Sequence, residues 1–185
     1  ATPELALGRL VIEALEFPAA YTSLMQITLA ATDFGDLVTA GRASGTARFA
    51  HNALERIDLQ LEHFSTYNER EFFMKDVAGE LHWAAATNAD VSPSWLSWSS
   101  GGAYGLSGGA SRVAFVTRAA SFALIEPWHM PIFDGAIDIR TLAVSGAGTP
   151  DMNVRFDADI EPISMPPICK AFGWPEFSGR IGGRI

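Results

Sequence analysis

The stretch Met152-Asn-Val-Arg-Phe-Asp-Ala-Asp-Ile-Glu161 alternates strictly between apolar and polar residues. Side chains alternate across a β-strand, so this spacing predicts a strand with one dry face and one wet face. The dry face consists of Met152, Val154, Phe156, Ala158 and Ile160. The acids of the other face, Asp157, Asp159 and Glu161, are more typical of a solvated outer surface than of a catalytic carboxylate pair.

A short helix is predicted directly after this strand. Ser164 can cap it, and Pro166 and Pro167 fall in its first turn, where a missing N–H is tolerated. Gly173 and Pro175 predict its end. Its apolar stripe, with helical spacing, is formed by Met165, Ile168, Cys169 and Phe172.

Earlier segments also alternate. The run 36–50 and the run Arg56–Glu62 predict a hairpin whose turn is His51-Asn52, and Phe72–Ala85 predicts a further strand. The residues expected on the inner face of these strands and of the last one are Ile57, Leu59, Leu61, Leu81, Trp83, Val154, Phe156 and Ile160.

The fold class predicted from these patterns is mainly β. We expect an antiparallel curved sheet, either a groove or a sandwich, of about seven to nine short strands with one or two short helices. Besides the helix after Ser164, a helix is predicted over Pro18–Ala31. Residues 1–185 are expected to form a single β-rich domain and to be a piece of a longer, repetitive protein.

Composition narrows the classes of function. The net charge is −8, whereas a nucleic-acid surface needs clustered Lys and Arg, so no nucleic-acid partner is expected. The single cysteine, Cys169, lies on the apolar helix stripe and is expected to be a buried thiol. No two of the four histidines, His51, His63, His82 and His129, have metal-site spacing, so each is expected to be solvated and no metal or cofactor is predicted.

Two other patterns suggest alternative functions. Gly105-Leu-Ser107-Gly-Gly109 matches the G-x-S-x-G motif of serine hydrolases, but a strand rather than a helix is predicted after it. Trp95, Trp98 and Tyr104 are aromatic residues that can stack on sugars in a β-sandwich carbohydrate-binding module. A non-enzymatic role is favoured over the hydrolase, and packing in the core and at its rim is favoured over sugar stacking for the aromatic residues.

One resemblance covers most of the chain. The order Leu81-His-Trp83, Trp95-Leu-Ser-Trp98, Asp134-Gly135, two long strands, a Pro-rich helix, Trp174-Pro175 and Phe177-Ser-Gly179 resembles the AsmA-like superfamily of bacterial envelope proteins, which includes TamB-type and YdbH-type members. It is closest after Leu124.

The resemblance implies a long curved sheet folded into a trough with an apolar lining. It implies a periplasmic segment of a protein anchored in the inner membrane through parts outside this chain. The implied role is non-catalytic phospholipid transfer or outer-membrane biogenesis, with acyl chains as the partner. The eight inner-face residues would line the groove, and Met165, Ile168 and Phe172 would place the helix as a cap over it.

Overall fold

The computed structural model describes residues 9–16, 37–51, 53–68 and 72–185. These residues form one sheet of 13 strands and one helix, α1, which confirms the mainly β, antiparallel prediction. The helix predicted over Pro18–Ala31 lies outside the described residues. The elements are β1 Arg9–Glu16, β2 Leu37–Ala50, β3 Ala53–Asn68, β4 Phe73–Ala84, β5 Ser94–Trp98, β6 Ser100–Ala103, β7 Leu106–Gly108, β8 Ser111–Arg118, β9 Ser121–Leu124, β10 Trp128–Ile132, β11 Gly135–Ser145, β12 Asn153–Ser164, α1 Met165–Phe172 and β13 Arg180–Arg184.

Six of the short strands are halves of three longer ones. Trp98 pairs with Ser111, and three residues further along Gly101 pairs with Gly108, so one register continues from the β5–β8 pair into the β6–β7 pair. Strands β9 and β10 likewise follow each other along the same edge of β11. The described strands therefore form an up-and-down meander of ten, slightly more than the seven to nine predicted, and the Gly- and Ser-rich segment after Trp98 lengthens two of them.

A single parallel contact interrupts this order. Strand β5 begins only at Ser94, so the end of β8 closes directly on the end of β4, with Trp83 opposite Thr117. The Thr117 hydroxyl donates to the His82 carbonyl at 2.7 Å, and Trp83 Nε1 donates to the Ala119 carbonyl at 2.9 Å. These hydrogen bonds join β4 directly to β8 beyond the first residue of β5, where β5 no longer lies between them.

A line of backbone irregularities crosses neighbouring strands and bends the sheet. Gly41 in β2, His63 in β3 and Asp76 in β4 have φ values of 129°, 47° and 53°, all in the left-handed half of the map. Register shifts accompany them between Ala40 and Arg42 and between Leu61 and Phe64. The breaks between β5 and β6 and between β7 and β8 continue the line. Because bulges increase local twist, this crease gives the sheet its curvature.

The sheet leaves much of its surface in contact with solvent. The chain exposes 11729 Å², whereas a compact monomer of 19.9 kDa exposes about 8,700 Å². Within the described part, the edge strands β1 and β13 each pair with one neighbour, so the sheet is open. The buried apolar side chains include small ones such as Ala136 and Ala158 and larger ones such as Phe115. The described strands all belong to this one sheet.

Helix α1 begins where the sequence predicts, but Ser164 acts differently from the prediction. Ser164 occupies the N-cap position without a capping bond from its side chain. Its hydroxyl donates to Asp134 Oδ2 at 2.6 Å and its N–H donates to Asp134 Oδ1 at 2.9 Å. The turn between β10 and β11 thus holds the start of the helix. Gly173, at φ 64°, ends the helix as predicted.

The helix crosses the end of the sheet. It starts at the end of β12, and Ala171 in its last turn lies against Gly105, at the tip of the β6–β7 hairpin. Eight helical residues span about 12 Å, close to the roughly 14 Å across three strand spacings. Helix α1 therefore lies across the strands and closes one end of the sheet.

Candidate functional site

One face of the sheet is apolar from β2 to β13. Directly paired residues in neighbouring strands place their side chains on the same face. Ile57 pairs with Ala47 and Trp83, and Leu59 pairs with Gly45 and Leu81. Leu61 pairs with Ala43 and Gly79. All five residues predicted for the inner face of β3 and β4 therefore share this face.

The same face continues at the other end of the sheet. Val154 pairs with Val144, Phe156 with Leu142, and Ile160 with Ile137. The predicted lining residues thus fall into two groups, one on β3 and β4 and one on β12. Cross-strand pairing connects them through an apolar series on the strands between: Leu96, Trp98, Val113, Phe115, Phe122, Leu124, Trp128, Met130, Ile137, Ile139 and Leu142. We call this continuous surface the apolar groove.

Much of the apolar groove is accessible to solvent. Phe156 is 44% exposed and Val154 is 51% exposed, while Ile57, Leu59, Leu61, Leu81, Trp83 and Ile160 are half-buried. Apolar side chains in a closed sandwich would be covered by a second sheet. Among the described residues no second layer covers this face, so the described part of the chain forms a curved sheet with one accessible apolar face.

Helix α1 is most deeply buried at Cys169. This residue is 1% exposed, as predicted for a buried thiol on the apolar stripe of the helix. Met165 and Ile168 are half-buried. Phe172, predicted as part of the cap, is 45% exposed and stacks on Trp174 with a centroid distance of 5.1 Å. The C-cap turn at Gly173 brings these two rings together.

The groove deepens into a cavity between the crease and helix α1. Its volume is about 320 Å³. Trp98 and Trp128 form one wall, with an edge-to-face contact at 5.9 Å and 85°. The cavity is lined by Phe72, Met74, Trp98, Gly101, Gly102, Ala103, Leu106, Gly108, Gly109, Trp128, Met130, Pro131 and Ile132. None of the described lining residues carries a charge.

The opposite face carries paired charges. Arg42 lies 3.7 Å from Glu62, Arg184 bonds Asp157 at 3.2 Å, and Arg140 bonds Asp159. Asp157 and Asp159 of β12 are therefore salt-bridged on the outer face. The hydrogen bond from Arg184 holds the pKa of Asp157 below its usual value, against a smaller opposing effect of burial. This face contributes solubility and cross-strand pairing.

The prediction that every histidine is solvated is wrong for His82. Its side chain is only 18% exposed, and its Nδ1 lies 2.8 Å from Asp58 Oδ1 in the neighbouring strand. Burial alone would raise the pKa of Asp58, but the hydrogen bonds and charges of Arg56 and His82 outweigh it and lower that pKa. The pairing of β3 with β4, invisible in a local pattern, brings these residues together.

The residues of the two alternative functions do not assemble into a site. Trp95 lies on the polar face with Arg112 4.9 Å above its ring, whereas Trp98 faces the groove and Tyr104 lies exposed at a hairpin tip. They form no common platform for a sugar. Ser107 lies in β7 and is followed by strand β8, so the strand–turn–helix geometry of a nucleophile elbow is absent there.

Sequence reasoning did not assign Met74, Gly101, Trp128 or Met130 to the groove, and it named Trp98 only as a sugar-binding residue. The alternation changes phase at the crease, so a period of two does not connect residues on its two sides. The available signal was the matched spacing of Trp98–Gly101 and Gly108–Ser111 around the turn at Tyr104-Gly105, which predicts one long hairpin.

Across the described ranges, no group of three or more His, Cys, Asp or Glu side chains is arranged to hold a metal ion. In those same ranges no helix has the length and apolarity needed to cross a membrane. Comparisons with protein-family models, curated proteins and solved structures found no match. The class defined by fold and site is thus an open antiparallel sheet with one apolar face.

Proposed function

We propose that this chain is a non-enzymatic lipid-binding segment of a bacterial cell-envelope protein, and that phospholipid acyl chains lie along the apolar groove. The observation that carries the proposal is the continuity of the apolar face from β2 to β13 together with its exposure. Each methylene removed from water contributes about 0.8 kcal/mol, so such a face binds alkyl chains without any ionic site. Exposed apolar surface of this extent is typical of interaction sites.

The cellular setting is part of the same proposal. The resemblance to AsmA-like proteins supports a periplasmic location and a role in phospholipid transfer between the two membranes or in outer-membrane biogenesis. The charged outer face of the sheet supports a location in which that face contacts water. Contact with a membrane would be made by parts of the protein beyond this chain.

Native mass spectrometry tests the proposal. The chain is expressed in a bacterial host, purified without detergent and sprayed under gentle conditions, and phospholipid masses are expected on the folded protein. In Phe156→Asp the bound lipid should fall several-fold, because a carboxylate then interrupts the groove. Phe156 is 44% exposed, so the variant removes little packing.

Arg155→Asp is the matched control. Arg155 is the neighbouring residue of β12 and its side chain lies on the outer face. It introduces the same carboxylate one position away and should leave bound lipid unchanged. A wild-type chain that carries no phospholipid, or an equal loss in both variants, would contradict the proposal.

A further inference from the structure

The cavity beside Trp98 differs from the rest of the apolar groove because it has depth and an indole N–H that has no acceptor among the described residues. Its volume of about 320 Å³ lies at the lower end of ligand pockets, which range from roughly 300 to 1,000 Å³. That size fits a single alkyl chain segment and is too small for a whole two-chain lipid.

Missing side chains create the space. At Gly101 an added Cβ would make ordinary contacts, 3.6 Å from Trp98 Nε1 and 3.7 Å from Met74 Cγ. The backbone there does not require glycine, and glycine inside a strand lowers stability. The effect of glycine at position 101 is therefore to leave the cavity open where a larger side chain would fill it.

The two tryptophans of the wall differ in their hydrogen bonding. Trp128 Nε1 donates to the Ser111 hydroxyl at 2.9 Å. Trp98 Nε1 has no acceptor among the described residues and lies directly beside the cavity floor at Gly101. An indole N–H in an apolar site usually has a partner, so this donor is available to a bound molecule.

We propose that this cavity binds the carbonyl-proximal part of one acyl chain, with Trp98 Nε1 donating a hydrogen bond to the ester or carboxyl oxygen. Met74, Met130, Ile132 and the Trp128 ring then surround the methylenes. Gly101 is the residue that admits the chain. The inference rests on the proposed lipid-binding function. It adds where the lipid binds, that a single acyl chain enters the cavity, and that the ester or carboxyl oxygen is the group recognised.

Two single-chain probes of equal length separate the parts of the proposal. Laurate has a carboxylate acceptor, and dodecyltrimethylammonium has none. Binding of each below its critical micelle concentration to the 185-residue chain is measured by equilibrium dialysis. Gly101→Leu should weaken both probes more than tenfold because the side chain fills the cavity. Ser107→Leu, on the opposite face of the same hairpin, should weaken neither.

The tryptophan variant tests the hydrogen bond. Trp98→Phe keeps a ring in the wall and removes the donor, so laurate should bind about threefold to tenfold more weakly, the range of one hydrogen bond. Dodecyltrimethylammonium should change by less than twofold. Equal effects on the two probes would overturn the role of the indole, and thermal unfolding verifies that each variant is folded.

The outcomes distinguish this inference from the broader one. If Gly101→Leu binds laurate as the wild type does, the cavity is not the acyl site, even when phospholipid is still found on the chain by native mass spectrometry. If the wild type carries no phospholipid but binds laurate with the predicted dependence on Gly101 and Trp98, the cavity inference stands and the groove proposal fails.

Discussion

Ala171, in the last turn of helix α1, packs against Gly105 at the tip of the β6–β7 hairpin. A Cβ added at Gly105 would lie 3.2 Å from the Ala171 Cβ and 3.1 Å from its carbonyl oxygen. The contact joins residues that are distant in the sequence and fixes the helix across the end of the groove. The distance between helix α1 and the β6–β7 hairpin is therefore set by close contact at Ala171 and Gly105, and no long side chain of the described residues lies between them.

Gly105→Ala should loosen the helix from the hairpin. Gly105 has φ 80°, and Gly148 has φ 76° with nothing near its missing side chain. Gly148→Ala should therefore lower the free energy of unfolding by about 1 kcal/mol, from the backbone alone. Gly105→Ala should lower it further and speed hydrogen exchange of the α1 amides. Equal losses and unchanged exchange would show that the contact does not hold the helix.

Thr66→Val should stabilise the chain. Thr66 is 7% exposed and its hydroxyl has no hydrogen-bond partner among the described residues, so valine removes a desolvation penalty without changing shape. The free energy of unfolding in urea should rise by about 1 kcal/mol. Thr117→Val is the control, since the Thr117 hydroxyl donates to the His82 carbonyl and its removal should destabilise by a similar amount. A loss of stability in Thr66→Val would mean that the hydroxyl is satisfied.

Asp58 should make stability depend on acid pH. Its pKa is lowered in the folded state, so its contribution is present above the unfolded pKa of about 3.9 and is lost as pH falls through the folded pKa. Asp58→Asn should reduce the free energy of unfolding by about 1 kcal/mol at pH 7. The difference from the wild type should shrink progressively below pH 4, as followed by urea titrations at several pH values.

Asp76→Asn provides the comparison for Asp58. Asp76 contacts His63 at 2.7 Å, but their side chains are 58% and 90% exposed, and exposed pairs contribute little. Asparagine also tolerates the left-handed backbone at this position. Its substitution should change stability by less than Asp58→Asn at pH 7. A larger loss of stability in Asp76→Asn than in Asp58→Asn would show that burial does not determine how much each Asp–His pair stabilises the fold.

Local alternation predicted the stretches of strand that lie between the bulges. In β3, β4 and β12 the period of two holds across Ile57–Leu61, Leu81–Trp83 and Val154–Ile160, so their inner faces could be read directly from the residues. The helix could also be predicted from the sequence, because proline at its start and Gly173 at its end act on the local backbone.

What local patterns could not supply depends on pairing between distant strands. The His82–Asp58 contact and the contact between Ala171 and Gly105 join different elements. The Trp98–Trp128 wall lies next to the crease, where bulges reverse the parity of each strand. When one segment is considered alone, a change of phase in its apolar–polar alternation suggests a loop. The structure shows instead that neighbouring strands change phase at the same crease and stay paired.

Site-specific photo-crosslinking along β12 tests the central claim most directly. A benzophenone amino acid placed at Phe156 lies on the apolar groove, and the same group at Arg155 lies on the outer face. After incubation with vesicles of phosphatidylethanolamine and phosphatidylglycerol and irradiation, mass spectrometry should find phospholipid attached at position 156 and not at position 155. Attachment at neither position, or equally at both, would contradict acyl-chain binding in the groove.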